Sequence, residues 1–401
     1  MALAFVFACS SLTYWMSTTL GGITTAQSAK LEARTGAQLI VNRNHVLAPE
    51  LVTKETLLRE GDAVQTSSDG GAFLQLFDGS TIQTYFDTRL RIERLRIGKL
   101  FQNSKEASVV VDTGTVVVVT ADLGGYSSAR YMVATGTSVI EPDVKSKIRL
   151  RVDGPEGNQI TSAFVDYGSA RLLSHGRQLQ LTPGTMARVS ADGTITGPGP
   201  IEEELIRNGN FTEEPTSGAE LLENGGLGTA AWLPIRTQSS EPVSDPGVTE
   251  IVTETLGTDV KAIRFKREGN SDKFAQLGIR QEVNRPVEFL TEIELLAAVK
   301  LVDQSATVGG PQENIFPLTI RVTYSDSELK QHEWKHSFYY NGPESAPANT
   351  SRVLQGTWER HHFVLKSSEA ASDITVINAI EVYGFGRQFQ SWVTDISIVA
   401  R

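Results

Sequence analysis

Five residues in this chain spell out a hydrolytic motif. His332-Glu333-Trp334-Lys335-His336 matches H-E-x-x-H, in which two histidines one helical turn apart chelate zinc and the glutamate deprotonates the bound water. That chemistry requires a helix. Here the pentad follows the strand-like run Leu318–Tyr324 and a Ser325-Asp326-Ser327 turn, and His332, Trp334, His336, Phe338 and Tyr340 recur at every second position. This is a strand period, and on a strand the two histidines stand roughly 13 Å apart, too far to share an ion. His361 and His362 are adjacent, so a strand points them to opposite faces. His45 and His175 sit in turn-like stretches without a nucleophile signature, and neither a phosphate-binding loop nor a dinucleotide fingerprint is present. No active site is indicated, and the chain reads as non-enzymatic.

Aromatic rings offer the other chemistry. A sugar is held by stacking its apolar face on an exposed ring while polar groups fix its hydroxyls. Trp334, Tyr340, Tyr383 and Trp392 are the ligand-binding candidates, with Tyr339 and Phe389 beside them, and core packing is the competing role for each. Trp358 and Phe211 read as core plugs.

The elements that must position these rings are strands. With 401 residues the chain is long enough for two domains, each with its own core. Its 35 glycines and many Val and Thr favour short strands and turns over helices. The formal net charge of −10 and the lack of a Lys/Arg stripe exclude the footprint of a nucleic-acid binder. One cysteine, Cys9, precludes an intrachain disulfide and a multi-cysteine zinc site. Val6-Phe7-Ala8 before it departs from a lipoprotein cleavage site because Phe7 is bulky. No charged side chain precedes Lys30, and residues 1–16 are mostly apolar. Residues 1–29 therefore read as an apolar helix serving as membrane anchor or export signal, with contact to the membrane through residues 1–25. Thr24-Thr25-Ala26 offers a weak cleavage site. The missing basic flank suggests a start further upstream.

Residues 30–198 show strand after strand, several introduced by glycine at Gly61, Gly114, Gly168 and Gly184. Leu74 and Leu76 alternate ahead of Asp78-Gly79, a hairpin turn that brings Leu76 near Ile82 if the loop is Asp78–Ser80. The unalternating Val116–Val119 run reads as buried on both faces. Gly197-Pro198-Gly199-Pro200 and Glu202-Glu203-Glu204 read as a linker, 199–204, before a second β domain at 205–401.

Residues ~50–195 resemble the FecR-type extracytoplasmic sensor domain. Gly61-Asp62-x-Val64-x-Thr66 and Leu74-x-Leu76-x-Asp78-Gly79-Ser80 match its opening, and Val133-Ala134-Thr135, Val165–Ala170 and Leu181–Gly184 match later pieces. The usual Gly-Thr-x-Phe is replaced by Val144–Arg151. Residues ~205–401 resemble a carbohydrate-binding, galactose-binding-like jelly roll. Leu205–Phe211 matches its first strand, Ile279–Val283 and Glu288–Val299 its middle, Gly356-Thr357-Trp358 a "G.W" element, and Ile380–Phe385 with Val393–Ile398 its paired closing strands. The resemblance implies a structural calcium near Asn210 and Asp395, although Thr212 replaces the family's acidic residue; no other cofactor is expected.

Together these features describe an all-β protein, a FecR-like β-roll or sandwich plus a C-terminal β-sandwich jelly roll with an N-terminal apolar helix. The implied role is that of an exported or membrane-anchored protein of a bacterial envelope, its soluble part periplasmic or otherwise extracytoplasmic, binding a glycan or an envelope protein. Signal transduction to a sigma factor from a truncated start and a structural or adhesive role through strand edges are the alternatives. A zinc enzyme is the reading that stoichiometric metal would favour.

Overall fold

Alternation of apolar and polar residues dictates strands throughout, and the computed structural model contains no helix among the described residues. The structure describes residues 24–34, 37–44, 46, 48–68, 70–99, 104–124, 128–214, 231–236, 247–268, 274–304, 315–328, 330–342, 348–366 and 373–401. Residues 1–23 of the expected apolar helix lie outside these, as does Cys9; its last part, 24–29, is extended instead, because Thr24–Ala26 pairs with residues 96–98 and Ala29 opens the strand Ala29–Ala33. The chain divides into two compact units, Met1–Ile201 and Glu202–Arg401.

The first unit is a β-roll of two hydrogen-bonded ladders around one core. They are joined by the 16-residue strand Ser104–Val119, whose first half pairs with Arg89–Gly98 and Ser128–Ala134 and whose second half pairs with Thr81–Thr84 and Lys147–Asp153. Gly114 marks the passage between the ladders. Its φ is +93°, and a Cβ there would lie 2.5 Å from Thr88 Cα, so only glycine lets the strand bend at this point. The sequence suggested that Gly114 opens a strand; instead it bends one. Val116, Val117 and Val118 are buried, so the run is covered on both faces.

The hairpin at Asp78-Gly79 forms with a different register from the one expected. The Leu76 N–H donates to the Ser80 carbonyl, the Gly79 N–H donates to the Leu76 carbonyl, and Leu74 pairs with Ile82. The loop is therefore Phe77-Asp78-Gly79, the three-residue type with glycine at the left-handed position (φ +89°). Because the shift is two residues, Leu74, Leu76 and Ile82 still share the buried face.

The proposed linker is largely strand. Ile195–Pro200 pairs with Thr185–Val189, and Glu203–Glu204 pairs with Val399 and Ala400. Among the described residues the strand Ile195–Pro200 pairs with Thr185–Val189 alone, the edge position at which proline is tolerated.

The second unit is a two-sheet sandwich. One sheet has the order Val248–Leu256, Thr258–Arg267, Phe389–Ala400, Ile293–Gln304 and Glu359–Lys366, with Glu203–Glu204 on Phe389–Ala400. The other runs Leu233–Arg236, Ala275–Pro286, Val376–Gly386, Leu318–Ser325, Gln331–Tyr339 and Thr350–Arg352. Three expectations change here. Leu205–Phe211 is a run of turns, with Asn208 and Phe211 at positive φ, stapled by the Trp232 indole donating to the Asn208 carbonyl at 3.0 Å. The middle strand starts at Ile293 rather than Glu288, after a turn. The two closing strands do not pair with each other: they are central strands of opposite sheets, facing across the core.

Candidate functional site

The period of two decides which face each candidate residue occupies, and it separates them. Trp334 lies opposite Val322, which is buried beside Ile380, so its ring turns inward and packs 5.3 Å from Phe363 of the other sheet. Tyr340 follows the same strand, its backbone N–H donating to Gln304 Oε1 at 3.1 Å. Trp392 stands on the outward face of the other sheet and is 4% exposed. The Lys300 ammonium covers it, 5.0 Å from its ring centroid and 5.9 Å from that of Trp358, while holding Glu254 at 3.0 Å. Tyr383 alone stands half-buried on the outward face of its sheet. The four rings do not converge on one site.

The pentad His332–His336 is a strand, as its alternation requires. His332 meets Asp326 at 2.7 Å and stacks on Tyr324, His336 turns inward, and Glu333 and Lys335 face outward. Zinc-hydrolase geometry is absent from it. Among the described residues no group of three or more His, Cys, Asp or Glu is placed to hold a metal. Asn210 Oδ1 accepts from the Thr212 hydroxyl at 2.9 Å, and the Asp395 carboxylate faces Arg360 at 3.4 Å.

What the structure does assemble around Tyr383 was not legible as a motif. Strand register lines up Arg280, Glu381, Arg321 and Lys335 in one row, Gly278, Tyr383, Thr319 and Ser337 in the next, and Glu282, Ala379, Thr323 and Glu333 in a third. Glu381, with its side chain 5% exposed, is clasped by the guanidiniums of Arg280 and Arg321. Arg280 also reaches Glu282 at 2.6 Å, Arg321 reaches Glu333 at 3.4 Å, and Glu333 holds Lys335 at 2.5 Å. Hydrogen bonding to Lys335 lowers the Glu333 pKa, and burial raises that of the Tyr383 phenol. The Arg321 guanidinium carbon stands 5.5 Å from the Tyr383 ring centroid, and its buried Nε–H has no hydrogen-bond partner. Gly278 makes room for the tyrosine, since a Cβ there would lie 2.5 Å from Tyr383 Cβ. The surface thus offers a ring and fixed planar ions. It can hold a ligand by stacking and hydrogen bonding; nothing on it is placed as a nucleophile–base pair. Alternation along each strand is the one sequence signal for these rows, and their register comes only from the fold.

In the roll, by contrast, the motif residues serve the backbone. Asp62, 4% exposed, accepts from the N–H groups of Asn44 and Arg59, each at 2.9 Å, and from Arg43 at 3.1 Å. Asp78 accepts from the N–H and hydroxyl of Ser80, each at 3.0 Å, and from the Tyr131 hydroxyl, while Ser80 Oγ accepts from the Ala121 N–H at 2.9 Å. Burial, with Asp78 adding to it, pushes the Tyr131 phenol far up. A groove of about 890 Å³ on this unit is lined by Arg89, Arg91, Asp112, Glu156 and threonine hydroxyls.

No protein-family profile and no curated protein matches the chain. Solved structures to which it is similar include a protein assigned as an anti-sigma factor from Parabacteroides distasonis, at 13% identity over 33% of this chain and 57% of that one, TM-score 0.26. They also include a family 11 carbohydrate-binding module from Clostridium thermocellum in complex with a β-1,3-1,4-mixed-linked tetrasaccharide, at 9% identity over 49% of this chain and 94% of the module, TM-score 0.28. A cyclase from Fischerella sp. TAU is similar at 9% identity over 50% and 98%, TM-score 0.29. This chain spans little more than half the length of the anti-sigma factor. Likeness at these levels carries no argument about activity.

Proposed function

We propose that the chain is a non-enzymatic extracytoplasmic binding protein whose C-terminal sandwich recognises a glycan on the outward face around Tyr383. The observation that carries this reading is the half-buried Tyr383 ring on the outward face of its sheet, beside the Arg321 guanidinium and the row of charged side chains that ends at the exposed Lys335. Sugar hydroxyls suit such fixed planar groups, which donate and accept without reorganising, while a ring takes the apolar face of the pyranose. The strand motifs shared with carbohydrate-binding jelly rolls support the same ligand class. In this reading the FecR-like roll is the anchor or relay, and the apolar segment ahead of the strand Thr24–Ala26 holds the protein at the membrane of a bacterial envelope. Regulation of a sigma factor and purely structural adhesion remain the competing roles for the roll.

The test is calorimetric binding of the whole chain to a panel of soluble polysaccharides and peptidoglycan fragments. Saturable binding that is lost in Tyr383→Ala and kept in Trp392→Phe supports the site. Absence of binding to every glycan, or binding indifferent to Tyr383→Ala, overturns it. Partition of the full chain into membranes, lost when residues 1–23 are removed, tests the anchor; partition that persists in the truncated chain overturns it.

A further inference from the structure

Two histidines occupy the seam where the sheets of the second sandwich meet at one edge. His336 comes from Gln331–Tyr339, which among the described residues is flanked on its outer side by the three-residue strand Thr350–Arg352. His361 comes from Glu359–Lys366, the last strand of the opposite sheet. Their rings interlock with phenylalanines across the gap. The His336 ring is 4.4 Å from Phe363 and the His361 ring 4.8 Å from Phe338, with His361 parallel to Phe363 at 6.0 Å. Trp334 completes the row. These contacts are made by neutral imidazoles; an imidazolium inserted between the same rings loses its water.

The polar surroundings are sparse. His336 Nε2 is 2.9 Å from the Ser351 hydroxyl, and His361 Nε2 is buried without a hydrogen bond. Among the described residues, the charged side chain on the seam itself is Glu359: one oxygen accepts the Leu354 N–H at 2.6 Å and the other is 3.9 Å from His361 Nε2. Every other charged neighbour is turned away or engaged. Glu333 and Lys335 face outward beside Arg321, His332 is held by Asp326, and Arg352 Nε donates to the Tyr340 carbonyl. On the facing strand Arg360 meets Asp395 and His362 meets Glu294. From Ile293–Gln304, Ala297 and Leu295 lie opposite His361 and Phe363, with Glu294 and Lys300 on the other face.

We propose that this seam is an acid-operated clasp: protonation swings His361 out of the Phe338–Phe363 stack toward Glu359, and Gln331–Tyr339 then parts from Glu359–Lys366. Burial, with the nearby His361 adding to it, pulls His336 down to about 4, and burial lowers His361 against the attraction of Glu359. The unfolded chain takes up these protons near the ordinary histidine value of about 6.5. Folded protein binds fewer protons below that value, so the clasp is intact at neutral pH and weakens as pH falls from there toward 4. A charged His361 also opposes charging of His336, which concentrates the opening on the first protonation.

Hydrogen exchange of the full chain, corrected for intrinsic rates, tests this together with NMR titration of the histidine Cε1–H signals. Protection of 331–339 and 359–366 is expected to fall by about tenfold or more between pH 7 and 4.5, with the centre of the sheets, 376–386 and 389–400, unchanged. His361→Phe removes the trigger and should leave protection flat over that range; His361→Gln, neutral and polar, serves if the phenylalanine variant does not fold. Overturning results are histidine signals that all titrate near the ordinary value, equal loss of protection in the variant and the parent, or loss spread evenly over both sheets.

Discussion

The roll and the sandwich use the same residue types to opposite ends. In the roll, Asp62 and Asp78 collect backbone N–H groups and a tyrosine hydroxyl, and their acceptor capacity is turned toward their own chain. In the sandwich, Glu381 and Arg321 sit in a row of charged side chains on the outward face of one sheet, beside the half-buried Tyr383 ring. A buried carboxylate that caps turns is part of the fold, because losing it strands several donors at once. Glu381 is as deeply buried as Asp62, but its partners are the side chains of Arg280 and Arg321, which reach the outward face, and not backbone N–H groups. Binding chemistry is therefore to be sought where polar side chains face outward beside an accessible ring, and the motifs of the roll, which serve the backbone, are poor guides to it.

The sharpest way to break this contrast is Gly114→Ala. The methyl meets the Thr88 backbone at a positive φ, and the roll should lose about 3 kcal/mol or more in urea unfolding while glycan affinity of the sandwich is unchanged. Asp62→Ala should follow at about 3 kcal/mol, because two backbone donors and Arg43 lose their acceptor together. A value under about 1 kcal/mol would make Asp62 dispensable to the fold and reopen it as a binding residue. Arg321→Lys keeps the charge but removes the planar fork. It should weaken glycan binding about tenfold in calorimetry with melting nearly unchanged, whereas equal affinity would remove Arg321 from the site. Calcium or a chelator should have the smallest effect, shifting the melting temperature of the sandwich by no more than about 2 °C, a change worth under 1 kcal/mol in a domain of this size. A larger shift would seat the cation at Asn210 and Asp395 in place of the Arg360 contact.

Local patterning carried the prediction of an all-β chain, because alternation at Leu74, Leu76 and Ile82 or along His332–Tyr340 is a property of neighbouring residues. It also placed H-E-x-x-H on a strand and so denied it a metal. Register was legible only modulo two: the hairpin loop is one residue earlier than expected, yet the same leucines are buried. Partnership was not legible at all. The segments 376–386 and 389–400 are consecutive and strand-like, which suggests a pair, but they enter different sheets.

Side-chain period and local sterics specify most of the strands and the two faces of each, though not that Leu205–Phe211 turns, that Ile195–Pro200 is a strand, or that Gly114 bends a strand in place of opening one. The pairing of the strands places Trp334 inward against an opposing sheet, Trp392 under a lysine, and Tyr383 on one outward face with Arg321 and Glu381. Those outcomes depend on which strands become neighbours, a choice made by long-range pairing that no short window of residues contains.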